Sequence, residues 1–403
     1  MEHIVFLVHR IPYPPNKGDK IRSYHLLRAL SQQYRVHLGC FVDDPLDWAY
    51  ADKLLPFCES LHCVPLKKSS RYLKGLKALT SGQPITLPYY RSSHMQRWVT
   101  ETIERYAIER ALVFSSSMAQ YVDGKRFSHL KRVIDFVDVD SDKWAQYAAK
   151  KHGLVRWVYQ REYRTLRHYE NRIASIFDSC VFVSQEEARL FSNQLPADLA
   201  PKVAHLLNGV DTGFFNPSAG FDGAQIPCLS PYLVFTGAMD YWANVDAMQW
   251  FCQQVWPRLK QRHPALHFYI VGGNPTAETR ALERLPGVHV TGRVQDVRPY
   301  LHRAELVVAP LQIARGIQNK VLEAMAMGKP VVATSMAMEG IHYGPDLCLE
   351  IADSPNDFTM ACNRLLARQQ PVHANANRAW VVNRFGWDQT LGRLPALLEG
   401  APP

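Results

Sequence analysis

Five consecutive apolar residues, Ile4 to Val8, lead into a charged stretch and then a second short apolar run, and this alternation recurs along the chain. Runs this short have the length of buried strands and fall well below the ~18 apolar residues that a membrane span needs. The expected strands of the first part are Ile4–Val8, Val36–Phe41, Leu61–Pro65, Leu112–Phe114, Val133–Phe136, Cys180–Val183 and Val203–Leu207. Between them lie helical patterns such as Asp19–Gln33, with Ile21, Tyr24, Leu27 and Leu30 near a 3.6-residue period. Strands that alternate with helices imply parallel pairing through right-handed crossovers, the doubly wound α/β class.

The stretch Asp211–Pro231 is rich in Gly, Pro, Phe and Ser and reads as a linker. A second alternation follows, with strands expected at Tyr232–Thr236, Leu266–Val271, Val288–Val290, Leu306–Ala309 and Pro330–Ala333. Its helices are expected near Asn244–Gln261, Asp296–His302 and Gln318–Met327, with one more over Trp387–Leu398. The 403 residues therefore divide into a Rossmann-like domain over 1–210, a linker over 211–231 and a second Rossmann-like domain over 232–385. A terminal helix within 386–403 is expected to pack back toward the first domain. Ligands of open α/β sheets bind outside the carboxyl ends of the strands. Two such edges facing across a cleft would suit a two-substrate reaction.

Charge and cysteine content narrow the function. The formal net charge is +9, and residues 1–210 hold 30 Lys and Arg against 21 Asp and Glu, whereas the remainder holds 16 of each. A basic first half suits an anionic substrate or a phospholipid surface. Because its basic residues are mixed with acids, nucleic acid is not an expected partner. The 8 cysteines show no C-x-x-C spacing and no neighbouring His cluster, which points to a reducing compartment and no structural zinc. No secretory signal is expected at the start of this sequence, and the reading is cytoplasmic.

The most informative segment is ARGIQNKVLEAMAMGKPVVAT, residues 314–334. Gly316 allows close backbone approach to a ligand. The helix starting near Gln318 presents free N–H groups and a positive dipole end, where a phosphate can sit. Lys320 lies in its first turn and can neutralise a diphosphate. Glu323, three residues on, lies on the same face and can accept two hydrogen bonds from ribose hydroxyls. The plainer alternative is an amphipathic helix with an exposed Lys–Glu pair.

This segment resembles the C-terminal signature of the family-four retaining glycosyltransferases, in which a Glu precedes an A-x-A-x-G-x-P-V-V stretch. Here that is Glu323, then Ala324, Ala326, Gly328, Pro330, Val331 and Val332. Asn208–Gly209–Val210–Asp211, Phe235–Thr236–Gly237, Val271–Gly272–Gly273 and Gly292–Arg293–Val294 fit the same pattern in the same order. The opening Pro12–Asp19 and the run Asp135–Trp144 further resemble sugar transferases associated with the PEP-CTERM/exosortase system, which accompany bacterial exopolysaccharide production. The resemblance implies a GT-B fold and transfer of a sugar from a nucleotide diphosphate donor to a glycan or lipid-linked acceptor. Retention of anomeric configuration and independence from any metal or cofactor are also implied. It places the donor on Gly237, Arg293, Val294, Arg315, Gly316, Ile317, Lys320 and Glu323, with Gly18 and Lys17 contributed by the opening loop.

Two departures bear on that expectation. The family often carries a second Glu with seven residues between it and the first, but Arg315 stands there, and a guanidinium cannot accept from a sugar hydroxyl. Gly237 is followed by Ala238, Met239 and Asp240 in place of the usual Arg and Lys, so Lys320, alone or with Arg315, must carry more of the diphosphate charge.

The run Asp135–Asp142 leaves three readings open. Its carboxylates can bind a metal, or Asp138 or Asp140 can face the anomeric centre as a catalytic group, or they cap the helix that begins near Ser141. Two helices, Lys67–Thr80 and residues 155–172, set Arg and Lys beside Leu, Trp and Tyr. They suit an anionic membrane surface or, equally, core-packed helices with a solvated basic face. The rival functions are an inactive nucleotide-sugar-binding or assembly protein of the same fold, and a sugar-nucleotide epimerase. An NAD-dependent oxidoreductase is disfavoured because no G-x-G-x-x-G follows the first strand of either half.

Overall fold

The computed structural model describes residues 1–15, 18–66, 82–149, 152–221, 226, 228–314, 316–367 and 374–400. The chain forms two compact units, Met1–Asn208 with Thr390–Pro403, and Gly209–Gln389.

The first unit is built on a seven-stranded parallel sheet of order β3-β2-β1-β4-β5-β6-β7. Its strands are β1 Glu2–Val8, β2 Tyr34–Val42, β3 Ser60–Pro65, β4 Arg110–Phe114, β5 Lys131–Val137, β6 Ser179–Phe182 and β7 Val203–His205. In register, Phe6 of β1 sits between Leu38 of β2 and Leu112 of β4. The apolar runs of the sequence fall on these strands, several of which extend outward by one or two residues, while β6 ends at Phe182 and β7 at His205, short of the expected Val183 and Leu207. Side chains on one sheet face, including Val5, Leu7, Val113 and Ile134, pack against Val99 and Ile103 of helix Ser93–Arg105 and Leu166 and Ile173 of helix Gly153–Ile176. Gly39 lets that first helix approach, since a Cβ there would lie 2.7 Å from the Trp98 ring. The last helix, Leu394–Leu398, packs on β4 and β5. Glu399 beyond it accepts hydrogen bonds from Tyr34 at 3.0 Å and from Arg110 at 2.7 Å.

The second unit carries a six-stranded parallel sheet of order β10-β9-β8-β11-β12-β13. Its strands are β8 Tyr232–Thr236, β9 His267–Val271, β10 Val288–Gly292, β11 Leu306–Ala309, β12 Val331–Ala333 and β13 Leu349–Ile351. The expected single helix over Asn244–Gln261 is interrupted. Helix Trp242–Trp250 passes into a π turn, Phe251–Val255, before helix Trp256–Arg262. Pro257 lacks an N–H for the ordinary i→i−4 bond, which accounts for the widened turn. The tail expected as one helix is two short ones, Trp387–Thr390 and Leu394–Leu398. Among the described residues no helix is long and apolar enough to cross a membrane.

In each sheet the chain runs outward to one edge and then crosses to the other side of the first strand. The reversals fall between β1 and β4 and between β8 and β11. These are the switch points at which ligands of doubly wound sheets bind.

Candidate functional site

At the second unit's switch point, the loops leaving β8 and β11 meet helix Asn319–Ala326. After β8 the backbone turns at Gly237, whose N–H donates to Val271 O at 3.1 Å, and Met239 N donates to Gly273 O at 2.9 Å. Two glycines make this crossing possible. A Cβ on Gly272 would lie 1.6 Å from Gly237 O, and one on Gly237 would lie 2.7 Å from Asn244 Nδ2.

Lys320 reaches under this turn. Its Nζ donates to Asn244 Oδ1 at 2.6 Å and sits 4.6 Å from the centroid of the Phe235 ring. Asn244 Nδ2 donates in turn to Ala238 O at 2.9 Å. The lysine is thus fixed by a neutral oxygen and an aromatic face, and its charge is left for a ligand. Loss of water around Lys320 lowers its ammonium to about 8, against the opposing pull of Glu323. The same loss of water raises the Glu323 carboxyl to about 7, with Lys320 opposing. Glu323 retains part of its surface and has no side-chain hydrogen-bond partner among the described residues.

The loop after β11 is held from both sides. Thr334 Oγ1 donates to Leu311 O at 2.6 Å, and Gly316 N donates to Glu339 Oε2 at 3.2 Å. Gly316 has φ +68°, a left-handed conformation that a side chain would strain. Ile317 packs against Gly340, where a Cβ would come within 3.2 Å of Ile317 Cγ1. Gln318, the N-cap residue, makes no side-chain cap hydrogen bond; Val321 N donates to Gln318 O at 3.0 Å, while the Asn319 and Lys320 amides have no acceptor among the described residues and can receive an anion. Two buried oxygens, Thr236 Oγ1 and Asn319 Oδ1, have no hydrogen-bond partner among the described residues. Arg293 is exposed and Val294 half-buried, just past Gly292, which ends β10 at φ +70°. Arg315 lies outside the described residues.

The first unit's switch point gathers charge. Asp19 lies 2.5 Å from Arg10 and 3.4 Å from His9 Nε2, and Arg10 Nε lies 3.0 Å from Asp43. Burial works against ionisation of Asp19, but the His9 hydrogen bond and the Arg10 charge outweigh it and hold its carboxyl below the ordinary range. Asp138 and Asp140 share one partner, Lys143, at 2.7 and 3.3 Å. Burial and the Asp138 charge push Asp140 up, while Lys143 and His9 pull it down. Burial works against the Lys143 ammonium, but the two carboxylates outweigh it and raise its pKa. Helix Asp140–Ala149 begins at Asp140 itself, and among the described residues no three His, Cys, Asp or Glu converge as metal ligands. Val137 and Ser115, at the ends of β5 and β4, have φ +71° and +74°. Such strain in residues with side chains persists only where surrounding structure imposes it, and it clusters at functional sites.

Gly18 opens helix Gly18–Ser31, and a Cβ there would meet nothing within 4 Å of protein. Lys20, beside Gly18, is buried in an ion pair with Asp47 at 2.6 Å. Lys17 and the helix Lys67–Thr80 lie outside the described residues. Asn244 and Glu339 join the site through contacts between segments distant in sequence, whereas His9, Arg10, Asp19 and Lys143 reach it through the way the chain turns after β1 and β5, which spacing alone does not show.

Residues 230–368 match the family model described as glycosyl transferases group 1. No curated protein matches the sequence. Solved structures match along nearly the whole chain. Anabaena HepE in complex with UDP superposes with TM-score 0.65 at 15% identity, covering 98% of this chain and 99% of that one. A glycosyltransferase from Rickettsia africae gives 0.65 at 14%, covering 99% and 98%. A sucrose-phosphate synthase from Thermosynechococcus elongatus gives 0.63 at 16%, with 99% and 98% covered.

Proposed function

We propose that this GT-B chain, whose second unit carries a glycosyltransferase group 1 domain, transfers a sugar from a nucleotide diphosphate sugar to a hydroxyl of a glycan or lipid-linked glycan. The observation that carries the reading is the pairing of Lys320 and Glu323 on one helix whose first amides are open. Lys320 and those amides neutralise the diphosphate, and Glu323 accepts from the ribose hydroxyls. Gly316 and Gly237 let backbone come close to the phosphates, and Arg293, Val294 and Ile317 line the remainder of the donor.

In the reaction the bond between the anomeric carbon and the β-phosphate oxygen breaks, and its electron pair stays on the nucleoside diphosphate. The acceptor oxygen forms the new bond and its proton passes to the departing phosphate. Lys320 stabilises the charge that develops on that phosphate, a role in which an oriented cation contributes most where water is excluded. Retention of configuration, a metal-independent route and a role in exopolysaccharide synthesis rest on the resemblance of the motifs. We assign acceptor handling to the strand-end cluster of the first unit, where Asp138 and Asp140 are held by Lys143. Asp138 or Asp140 is the catalytic group we assign to this cluster, as the resemblance implies.

The basic first half also supports peripheral docking on an anionic membrane. Trp157, Tyr147 and Val155 are exposed by 54, 53 and 48%, beside exposed Arg156 and Arg164. Salt-sensitive sedimentation with anionic vesicles tests this, and equal binding to neutral vesicles contradicts it.

The direct test of the activity is release of nucleoside diphosphate from a panel of nucleotide sugars, with and without glycan acceptors and with EDTA added. Acceptor-stimulated release that survives EDTA is expected. Nucleotide binding with no release from any donor would identify the inactive binding-protein reading, and epimer formation without acceptor would identify the epimerase.

A further inference from the structure

Two of the 8 cysteines meet at the edge of the first unit's sheet. Cys40 of β2 and Cys63 of β3 are direct partners in the parallel register, and their sulfurs lie 3.5 Å apart in a thiol–thiol hydrogen bond. We propose that this pair is a redox modification site, at which a hydroperoxide closes a reversible Cys40–Cys63 disulfide. The proposal rests on strand register and thiol chemistry, not on the glycosyltransferase reading.

The sheet supplies the geometry. Neighbouring strands run about 4.8 Å apart, and a disulfide spans Cα separations of roughly 4.4–6.8 Å. Side chains alternate between the two faces along a strand. Phe41 and Val64, the next residue of each strand, pack into the core that holds helix Ser93–Arg105, so Cys40 and Cys63 point together to the opposite face. The charge of Lys20, on helix Gly18–Ser31, is felt there by Cys40. The sulfurs must still close from 3.5 Å to about 2 Å. β3 is the edge strand and most of its residues are half-buried, so it can yield by that distance.

The two sulfurs differ as an attacking and a resolving thiol must. Cys63 is half-buried at the sheet edge, whereas Cys40 is 0% exposed. The hydrogen bond with Cys40 holds the Cys63 thiol below its usual range, although burial opposes it. The same bond, and burial after it, push the Cys40 thiol well up. Because the thiolate is the nucleophile, Cys63 attacks first. Cys58 lies close enough to feel the Cys63 charge, but burial pushes it up to about 12 and it stays a thiol.

The Cys63 sulfur attacks the terminal oxygen of the hydroperoxide and the O–O bond breaks. The leaving oxygen takes the Cys63 proton, and Cys63 becomes a sulfenic acid. The Cys40 sulfur then attacks the Cys63 sulfur, the S–O bond breaks, and the departing hydroxide leaves as water with the Cys40 proton. Two thiols are oxidised to one disulfide, and the hydroperoxide is reduced to water and an alcohol, or to two waters from hydrogen peroxide. A small thiol or dithiol reverses the bond by exchange. Beyond Cys40 the chain leads to Asp43 and Asp47, the ion-pair partners of Arg10 and Lys20, so the bond forms within a few residues of the first unit's charged cluster.

The test is carried out on the full, folded chain. The reduced protein is exposed to hydrogen peroxide, its remaining thiols are blocked in denaturant, and its peptides are mapped by mass spectrometry, with near-ultraviolet dichroism to show that the fold persists. Two thiols are expected to disappear into one Cys40–Cys63 linkage, and dithiothreitol is expected to return both. The pair should react about tenfold faster than Cys228, the half-buried cysteine of the second unit whose thiol burial pushes up to about 11, since rate follows thiolate character. Cys40→Ala should leave Cys63 as a sulfenic acid that dimedone traps, Cys63→Ala should leave Cys40 unreacted, and Cys58→Ala should keep the linkage. Cys40 and Cys63 unlinked in the oxidised, folded protein, a linkage that forms only on unfolding, a bond to Cys58 in place of Cys40, or reaction no faster than at Cys228 overturns the proposal. The wild-type peptide map decides the matter whether or not each variant folds.

Discussion

Lys320 donates a 2.6 Å hydrogen bond to the side-chain oxygen of Asn244, and that contact couples the helix after β11 to the glycine turn after β8. The two residues are 76 positions apart, and Asn244 closes the link by donating to Ala238 O. The lysine that the sequence marks as the diphosphate cation is therefore held by a residue of another segment. A neutral partner is the useful choice there, because a carboxylate would compete with the phosphate for the charge.

Asn244→Ala is expected to weaken nucleoside diphosphate binding by about 1–1.5 kcal/mol, the ordinary worth of one such hydrogen bond, by releasing Lys320 from its place. Asn244→Asp is expected to weaken it further, since the new carboxylate draws the ammonium to itself. Calorimetric titration of both variants decides the matter, and wild-type affinity in the aspartate variant would remove Lys320 from the diphosphate.

The two titrating groups give the site a pH window. Lys320 loses its proton near 8 in the free protein, and a bound diphosphate favours the charged ammonium and raises that value. The Lys320 contribution to affinity is therefore flat below about 8 and falls as pH rises past it, by up to about tenfold per pH unit. Glu323 takes up a proton near 7, and ribose hydroxyls favour the ionised form, so affinity also falls as pH drops below about 7. Titrations between about pH 6 and 9 should show the maximum between the two values. Glu323→Gln should abolish the acid limb alone, and a profile flat on both sides would contradict the burial of the pair.

Beneath the strand ends of the first unit, Arg22 Nε donates to Asp135 at 2.8 Å with both side chains almost wholly buried. Arg22 also donates to Asn208 at 2.9 Å, and Asp135 accepts from Val137 N at 3.0 Å, at the strained end of β5. Arg22→Leu is expected to cost about 3–5 kcal/mol because it strands a buried carboxylate. The double variant Arg22→Leu, Asp135→Leu should recover much of that loss. Denaturant unfolding measures both, and equal stability of single and double variants would show that the pair is uncoupled.

Much of this was legible in the sequence, for identifiable reasons. Strands such as Tyr232–Thr236 and Leu306–Ala309 are apolar on both faces, and a buried parallel strand writes that run directly into the sequence. Strand β13, Leu349–Ile351, escaped because three half-buried residues at a sheet edge leave no pattern. Gly272 and Gly273 stood out as a motif, but their purpose needs the Gly237 carbonyl, which only the folded chain brings within reach. Lys320 and Glu323 could be paired from their spacing on one helix. The contacts of Lys20 with Asp47 and of Lys143 with Asp138 and Asp140 could not, since the first joins separate elements and the second depends on how the strand end turns.

The most direct measurement of the central claim compares a nucleoside diphosphate with its deoxyribose counterpart, bound to the wild type and to Glu323→Ala. Glu323 is expected to contribute roughly 1.5–3 kcal/mol through the ribose hydroxyls, the scale of hydrogen bonds to a charged group. The wild type should then prefer the ribonucleotide by about that amount, and the variant should bind both with the same, lower affinity. Equal binding of the two nucleotides by the wild type would contradict the assignment of this site.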